Sequence, residues 1–344
     1  MDIRPTQLDE LNELGSFLTE QGMPRTADYL HWKFWQAPDE CEGAKSWVAV
    51  HDGRIVGHIG IIPTRIYPDK GHAPIPAGWF VDWMVQAELR SRGIGVFLLR
   101  EAAAGGCLLT IQGSAETQRV LPQLGWSSGH GLQIYKLNVR ADSFKPKRNR
   151  LTTLAAEAAW RLYFHPVHIS APRGWTLSDG DADWSRLETV MQRIEAGPRG
   201  TGSFFARSTK CLRWHFQAHP SLRYHLLLAR DPSGPCGYAI WRRGQRDDGT
   251  PMGRLVDAAL PADQAEGWSW LVSEAVSCMV QAGAAQIECL AGKESALARA
   301  LLRNRFLARL PLPLWMSTSL PSADGRHHWQ ATFADSDIDS AARS

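Results

Sequence analysis

The chain has 344 residues, 38 Lys plus Arg against 35 Asp plus Glu, a formal charge of +3, and 44% hydrophobic and 21% charged residues. Its length predicts about two domains of roughly 150 residues each. The composition excludes a mainly disordered or collagen-like chain, and near-neutrality gives no broad positive field of the kind nucleic-acid binders use. Tryptophan is abundant: 15 residues, more than the 6 Tyr and 7 Met together.

The start, MDIRPTQLDELNEL, is charged from residue 2 and has no apolar signal region, so a soluble, cytoplasmic protein is expected. Leu8, Leu11, Leu14, Phe17 and Leu18 carry helical spacing and predict a helix over 7–20, followed by a short one over 26–35. SWVAVH (46–51) and RIVGHIGIIPTRIY (54–67) read as strands joined at Asp52-Gly53, a strong hairpin signal. Then come a strand at about 77–85, a helix at about 93–105, the apolar strand CLLTIQ, a helix at about 115–124 and a closing strand near 130–138. Strands interleaved with helices predict an α/β fold. Residues 141–150 are polar, basic and Pro-containing and read as a linker, with an amphipathic helix at 151–163 behind it. No cysteines form a C-x-x-C pair, so no metal site is expected. The apolar stretch from Trp268 to Ala285 is broken by Glu274 and is too short for a membrane span.

The chain also repeats itself. Leu30, Trp32, Phe34 and Pro38 match Leu212, Trp214, Phe216 and Pro220 at a shift of 182 residues. Further matches keep the same order: Gly57 with Gly237, Val81-Asp82 with Val256-Asp257, and Leu98-x-x-Glu101-Ala102 with Leu271-x-x-Glu274-Ala275. These set the expected boundaries: a first domain at 1–140, linker and connecting helix at 141–172, a second copy at 173–335 closing on a strand at 327–334, and a tail at 336–344. Asp335, Asp337 and Asp339 lack the Gly and Glu of a calcium loop and are expected to be solvated.

One motif carries chemistry. Arg90-Ser91-Arg92-Gly93-Ile94-Gly95 lies between a strand ending near Val85 and a helix starting near Gly93. Amide groups at a helix start lack intrahelical partners and attract anions. The two glycines open the backbone to a diphosphate, and the arginines add charged donors. Here the chain resembles the GNAT superfamily of CoA-dependent acyltransferases. Their signature is an Arg or Gln, two residues, Gly, one residue, then Gly or Ala, after a strand ending in Val. The resemblance covers residues 1–138 well, and the later Leu124-Gly125-Trp126 fits the end of the family's next helix. It implies two GNAT-like domains in tandem, each a mixed, mostly antiparallel twisted sheet flanked by helices. It also implies acetyl-CoA as donor: Met84 and Val85 pairing with the pantetheine amides, and the backbone from Arg90 through Ser91, Arg92, Gly93, Ile94 and Gly95 to Val96 holding the pyrophosphate. The thioester would lie in a gap where the Val85 strand splays from the strand at 108–112.

The second copy departs at this loop. Pro261-Ala-Asp263-Gln-Ala-Glu266-Gly267-Trp268 has one glycine, two acids and no Arg or Lys, so only the first half is expected to bind CoA. The second would shape an acceptor pocket or serve as scaffold. The family's usual Tyr acid falls at Leu121, leaving Ser114 or Gln112 to supply a hydrogen bond. Asp82, inside an apolar strand, is the best candidate base, although Asp257 at the matching position of the second copy also fits a structural role. Trp79 and Trp83 alternate with Asp82 and should pack on the opposite face. His58 and Tyr67 could line the acceptor side. The expected activity is acetylation of the amine of a small molecule or amino sugar, without nucleic acid or membrane. Two alternatives are a cell-wall-type tandem GNAT aminoacyltransferase using aminoacyl-tRNA and a non-catalytic binding or scaffold protein with a vestigial acyl-CoA pocket.

Overall fold

Asp52 and Gly53 both take positive φ (50° and 74°), as a two-residue hairpin turn requires. They close the long hairpin on which the first half is built, β2 (Ser46–His51) with β3 (Arg54–Tyr67). The computed structural model describes residues 1–38, 45–68, 73–104, 106–139, 166–181, 184–196, 203–205, 207–261, 263–318, 329–337 and 339. The helix expected at 151–163 lies outside them, as does most of the expected linker.

In chain order the first half contributes β1 (Asp2–Pro5), α1 (Leu11–Glu20), α2 (Ala27–Trp35), β2, β3, β4 (Ile75–Val85), α3 (Ile94–Ala103), β5 (Cys107–Ile111), α4 (Ala115–Gln123) and β6 (Ser127–Asn138). The second contributes β7 (Thr176–Asp179), α5 (Leu187–Ala196), β8 (Ser203–Phe205), α6 (Thr209–Leu212) running into a π-helical turn, β9 (Tyr224–Asp231), β10 (Gly234–Gln245), β11 (Pro251–Ala259), α7 (Ala265–Gln281), β12 (Gln286–Gly292), α8 (Ala296–Arg303), β13 (Leu307–Met316) and β14 (Trp329–Gln330). Among the described residues these strands form one sheet, ordered β1-β2-β3-β4-β5-β13-β6-β12-β11-β10-β9-β7, with β8 and β14 paired off this path.

That order is the same read from either end once each strand is exchanged for its counterpart in the other half. Its centre is an exchange: β13 inserts between β5 and β6, and β6 inserts between β13 and β12. Neither half therefore completes a sheet from its own strands, and a cut at residue 140 would strip β5 of β13 and β6 of both its neighbours. The closing strand of the second half is thus β13, not 327–334, of which only Trp329–Gln330 is strand among the described residues. Pro311 and Pro313 hide β13 from pattern reading, because proline cannot donate to a ladder. Register shifts at Ala308/Leu310 and Leu312/Leu314 accommodate them.

The helices divide unevenly over the two faces. α1, α2, α5 and Leu212 and Phe216 share one continuous core spanning both halves. On the other face α3 and α4 cover one core, and α7 and α8 cover another. At the middle of the shared face the repeat partners Trp32 and Trp214 stack, with ring centroids 5.1 Å apart and planes 22° apart. Each indole N–H donates to the other's backbone carbonyl, at 3.2 and 3.0 Å. The sequence repeat thus marks a physical contact between the halves. No helix among the described residues is long and apolar enough to cross a membrane.

Candidate acyl-donor site and a second-half cavity

β4 pairs with β5 in parallel only from Ala77↔Cys107 to Trp79↔Leu109. Beyond Trp79, β4 stays bonded to β3 out to Val85 and opens a cleft on its β5 side. A turn of 3₁₀ helix over Ala87–Arg92 then leads to Gly93, whose φ of +77° makes it the left-handed hinge into α3. Arg90, Ser91 and Arg92 are exposed around that helix start. The Arg90 Nε also donates to the Val85 carbonyl at 3.2 Å, tying the turn to the strand end. An unpaired strand edge, a glycine hinge and exposed arginines at a helix N-terminus form a site suited to a chain of amides ending in a diphosphate.

Residues 11–105 match the family model described as acetyltransferase (GNAT) family. The first half thus carries a GNAT-type acetyltransferase domain over these residues. Solved structures with the same fold include a GCN5-related N-acetyltransferase from Anabaena variabilis (12% identity, TM-score 0.60, 92% of this chain and 72% of that one). N-myristoyltransferase from Saccharomyces cerevisiae with bound myristoyl-CoA is similar over 92% of this chain and 78% of its own (13% identity, TM-score 0.59). A conserved protein from Enterococcus faecalis, described as a probable N-acyltransferase, covers 92% and 71% (12% identity, TM-score 0.61). No curated protein sequence matches significantly.

Inside the GNAT domain several expected roles change. Gly95 has another neighbour than a diphosphate: an added Cβ would lie 3.1 Å from the Trp83 ring, whose indole N–H donates to the Gly95 carbonyl at 3.1 Å. Trp79 and Trp83 do not share a face. Trp79 lies in the core shared with α1 and α2, whereas Trp83 packs on the α3 side. The cause is a β-bulge at Asp82, which has φ of +50° and coincides with a register shift opposite Ile59. The bulge turns the Asp82 carboxylate toward α2, 2.7 Å from the Lys33 ammonium, which also meets Asp337 at 2.8 Å. Burial opposes charge on Asp82, but Lys33 outweighs it and holds the carboxyl below its usual range. Burial likewise opposes the Lys33 cation, and Asp337 with Asp82 outweighs it, raising that pKa. An ionised carboxylate locked to a buried ammonium is a poor proton acceptor, so Asp82 serves as an ion-pair partner in place of the expected base.

Asp82→Asn is accordingly expected to lower stability by about 1–3 kcal/mol, since it removes one of two carboxylates on the buried Lys33 ammonium and leaves Asp337 in place. A Lys33→Met/Asp82→Leu double variant should recover much of that and still bind the donor. A fully stable Asp82→Asn with lost turnover would instead restore the base, and urea denaturation beside the rate assay separates the two.

Ser114 is the N-cap of α4: its oxygen accepts from the Thr117 amide at 3.1 Å and shares a 3.0 Å bond with the Thr117 hydroxyl. Leu121 is buried in the α3–α4 core, so no acid stands at that position. His58 is fully buried, its Nδ1 3.1 Å from the Asp82 carbonyl and its Nε2 2.9 Å from the Ser46 hydroxyl, and burial pushes its pKa down to about 4. It is a neutral core group that does not line a site, and Tyr67 lies at the far end of β3.

The second half opens a similar cleft, because β11 and β12 pair only as far as Leu255↔Cys289. Here the helix start is closed. Gly267 sits against Trp175, with an added Cβ only 2.5 Å from its ring, and the buried Trp268 indole donates to the Pro261 carbonyl. Asp263 and Glu266 are exposed at the turn. The cleft nevertheless holds a cavity of about 340 Å³. Its floor is a satisfied network: Asp257 accepts from Arg207 (2.9 Å), Tyr238 (2.8 Å) and Thr332 (2.8 Å), and Arg207 also forks onto Asp335.

The C-terminal aspartates are not solvated. Asp335 meets Arg207, Asp337 meets Lys33, and Asp339, with no exposed surface, meets Arg242, Arg254 and Tyr224. Their alternate spacing places three acids against buried cations drawn from both halves.

Proposed function

We propose that the protein is an acyl-CoA-dependent N-acyltransferase that takes acetyl-CoA at the GNAT turn of its first half and acetylates the amine of a small molecule or amino sugar. The observation that carries this reading is the β4–β5 cleft leading to Gly93 at the start of α3, beside Arg90 and Arg92. In that arrangement Met84 and Val85 would pair with the pantetheine amides. The backbone from Arg90 to Val96 would meet the pyrophosphate. The second half reads as a diverged GNAT copy without donor binding, since its turn offers Asp263 and Glu266 to an anion.

Chemically, the acceptor nitrogen attacks the thioester carbon as a free amine, the carbon–sulfur bond breaks, and the proton lost by nitrogen leaves with the thiol. With Asp82 held by Lys33, Ser114 capping a helix and Leu121 in the core, none of these three supplies a strong base or acid. A thiol of pKa about 8.5 is a tolerable leaving group without one.

Acetyl-CoA at 100 times its dissociation constant is expected to stabilise the protein by about 2.7 kcal/mol in thermal unfolding. Gly93→Glu should abolish that shift, whereas Gly93→Ala, which carries the same backbone strain without the charge, should only weaken it. Glu266→Lys should leave it intact. No shift with the wild-type chain would refute the reading. The buried Leu121 favours one rival, a binding protein with the same pocket, and release of free thiol in an amine panel distinguishes an enzyme from that binder.

A further inference from the structure

The second-half cavity is too far from the GNAT turn to serve its acceptor. Val85, at the donor cleft, pairs with Gly57, whereas the cavity wall includes Tyr67 at the opposite end of the same strand. Ten residues of extended chain separate Gly57 from Tyr67, roughly 30 Å. The two clefts also open toward opposite ends of the sheet, because β5 runs antiparallel to β13, β13 to β6, and β6 to β12. An acceptor sitting in the cavity could not touch a thioester beside Val85.

The cavity is built to hold a ligand of its own. Its volume of about 340 Å³ falls within the range of small-molecule sites, which are mostly apolar with a few fixed polar groups. One wall is aromatic: Tyr67 and Phe204 stack with parallel rings 5.0 Å apart, and Phe205 lies beside them. The lining charges favour a cation. The Arg207 guanidinium is already committed to Asp257 and Asp335, two carboxylates for one positive charge. Arg299, at the mouth, has its guanidinium on the Glu294 carbonyl at 2.7 Å. Glu195 on α5 and Glu294 before α8 add two exposed acids at the same mouth. Counting the lining with Asp335, four carboxyl groups face two guanidinium groups. A polyanion such as CoA is repelled there, while a ring carrying an ammonium finds an aromatic wall and acidic residues.

We infer that this cavity is a second ligand site, separate from the donor turn, for a small ring-bearing amine. Binding there does not require CoA and does not compete with it.

Calorimetric titration of the full chain with tyramine and glucosamine tests this, with 4-hydroxyphenylacetate and N-acetylglucosamine as the anionic and neutral counterparts. At least one amine should bind in the millimolar range or tighter, and its counterpart about tenfold more weakly. A Glu195→Gln/Glu294→Gln variant should lose about tenfold in affinity for that amine. Gly93→Glu should leave amine binding unchanged while removing the response to acetyl-CoA. The inference is overturned if neither amine binds, if the anion or neutral ligand binds equally well, or if the acid-to-amide variant binds as the wild type does. Loss of the amine in Gly93→Glu, or its displacement by CoA, would place the amine at the donor turn instead. Failure of acetyl-CoA alone would count against the proposed activity and leave the cavity's ligand standing.

Discussion

Asp339→Ala is expected to destabilise the protein by about 3–5 kcal/mol, one of the largest single-residue effects in the chain. The Asp339 carboxylate is fully buried and accepts from the Arg242 Nε at 2.9 and 3.0 Å, from the Arg254 guanidinium at 2.9 Å and from the Tyr224 hydroxyl at 2.8 Å. Removing it leaves the buried Arg242 guanidinium without this carboxylate and Arg254 with Glu288 at 3.6 Å, and the cost is mainly that of this undercompensated charge. Asp339→Asn keeps the shape and part of the bonding but not the charge, so it should fall between wild type and Ala. Burial works against ionising Asp339, yet Arg242 and Arg254 outweigh it and hold its pKa below the ordinary carboxylate value. Denaturant midpoints at neutral pH measure the effect, and an Ala variant within about 1 kcal/mol of wild type would show that the tail adds little.

This tail is also where sequence reasoning failed most clearly. A run of alternating aspartates at a chain end reads as solvated, since burying three acids is costly without partners. Those partners, Lys33, Arg207, Arg242 and Arg254, lie 85 to 304 residues away in sequence, and no local pattern announces them. The alternation of Trp79, Asp82 and Trp83 misled for a local reason: one bulge residue with positive φ inverts every facing after it. β13 was hidden because its prolines break a strand pattern, although two register shifts make room for them. What was legible rests on stronger signals. Asp52-Gly53 is a turn by backbone preference. Gly93 is a hinge because only glycine takes its φ without strain. Trp32 and Trp214 are repeat partners by spacing, and their rings stack. Asp82 was singled out correctly as an oddity in an apolar strand, but its purpose depended on Lys33, which sequence spacing did not bring to it. The cavity had no sequence signal, because residues from β3, α5, β11 and α8 meet there only through the fold.

Stability is expected to fall steeply as pH drops from about 6.5 to about 4, driven by buried histidines. Burial lowers His58 and His215 from 6.5 to about 4 and His219 to about 3. In the unfolded chain each takes up a proton near 6.5, whereas in the folded chain each resists until about 4 or below. Between those values the unfolded state binds more protons, so acidification favours it. The contribution is therefore fully present above about 6.5 and lost as pH falls through the folded values. A shift of this size is worth about 3 kcal/mol for each histidine. Three together approach the whole stability of an ordinary domain, about 5–15 kcal/mol. Asp82 and Asp339, with lowered pKa values, extend the loss below the usual carboxylate range. At the alkaline end Lys33, raised by Asp337 and Asp82 despite its burial, keeps its ion pairs past the unfolded lysine value. Urea denaturation at several pH values should show the acid slope, and His215→Phe, which keeps a ring beside Phe216 and cannot charge, should flatten it by about a third. An unchanged slope in that variant would assign the acid sensitivity to the carboxylates instead.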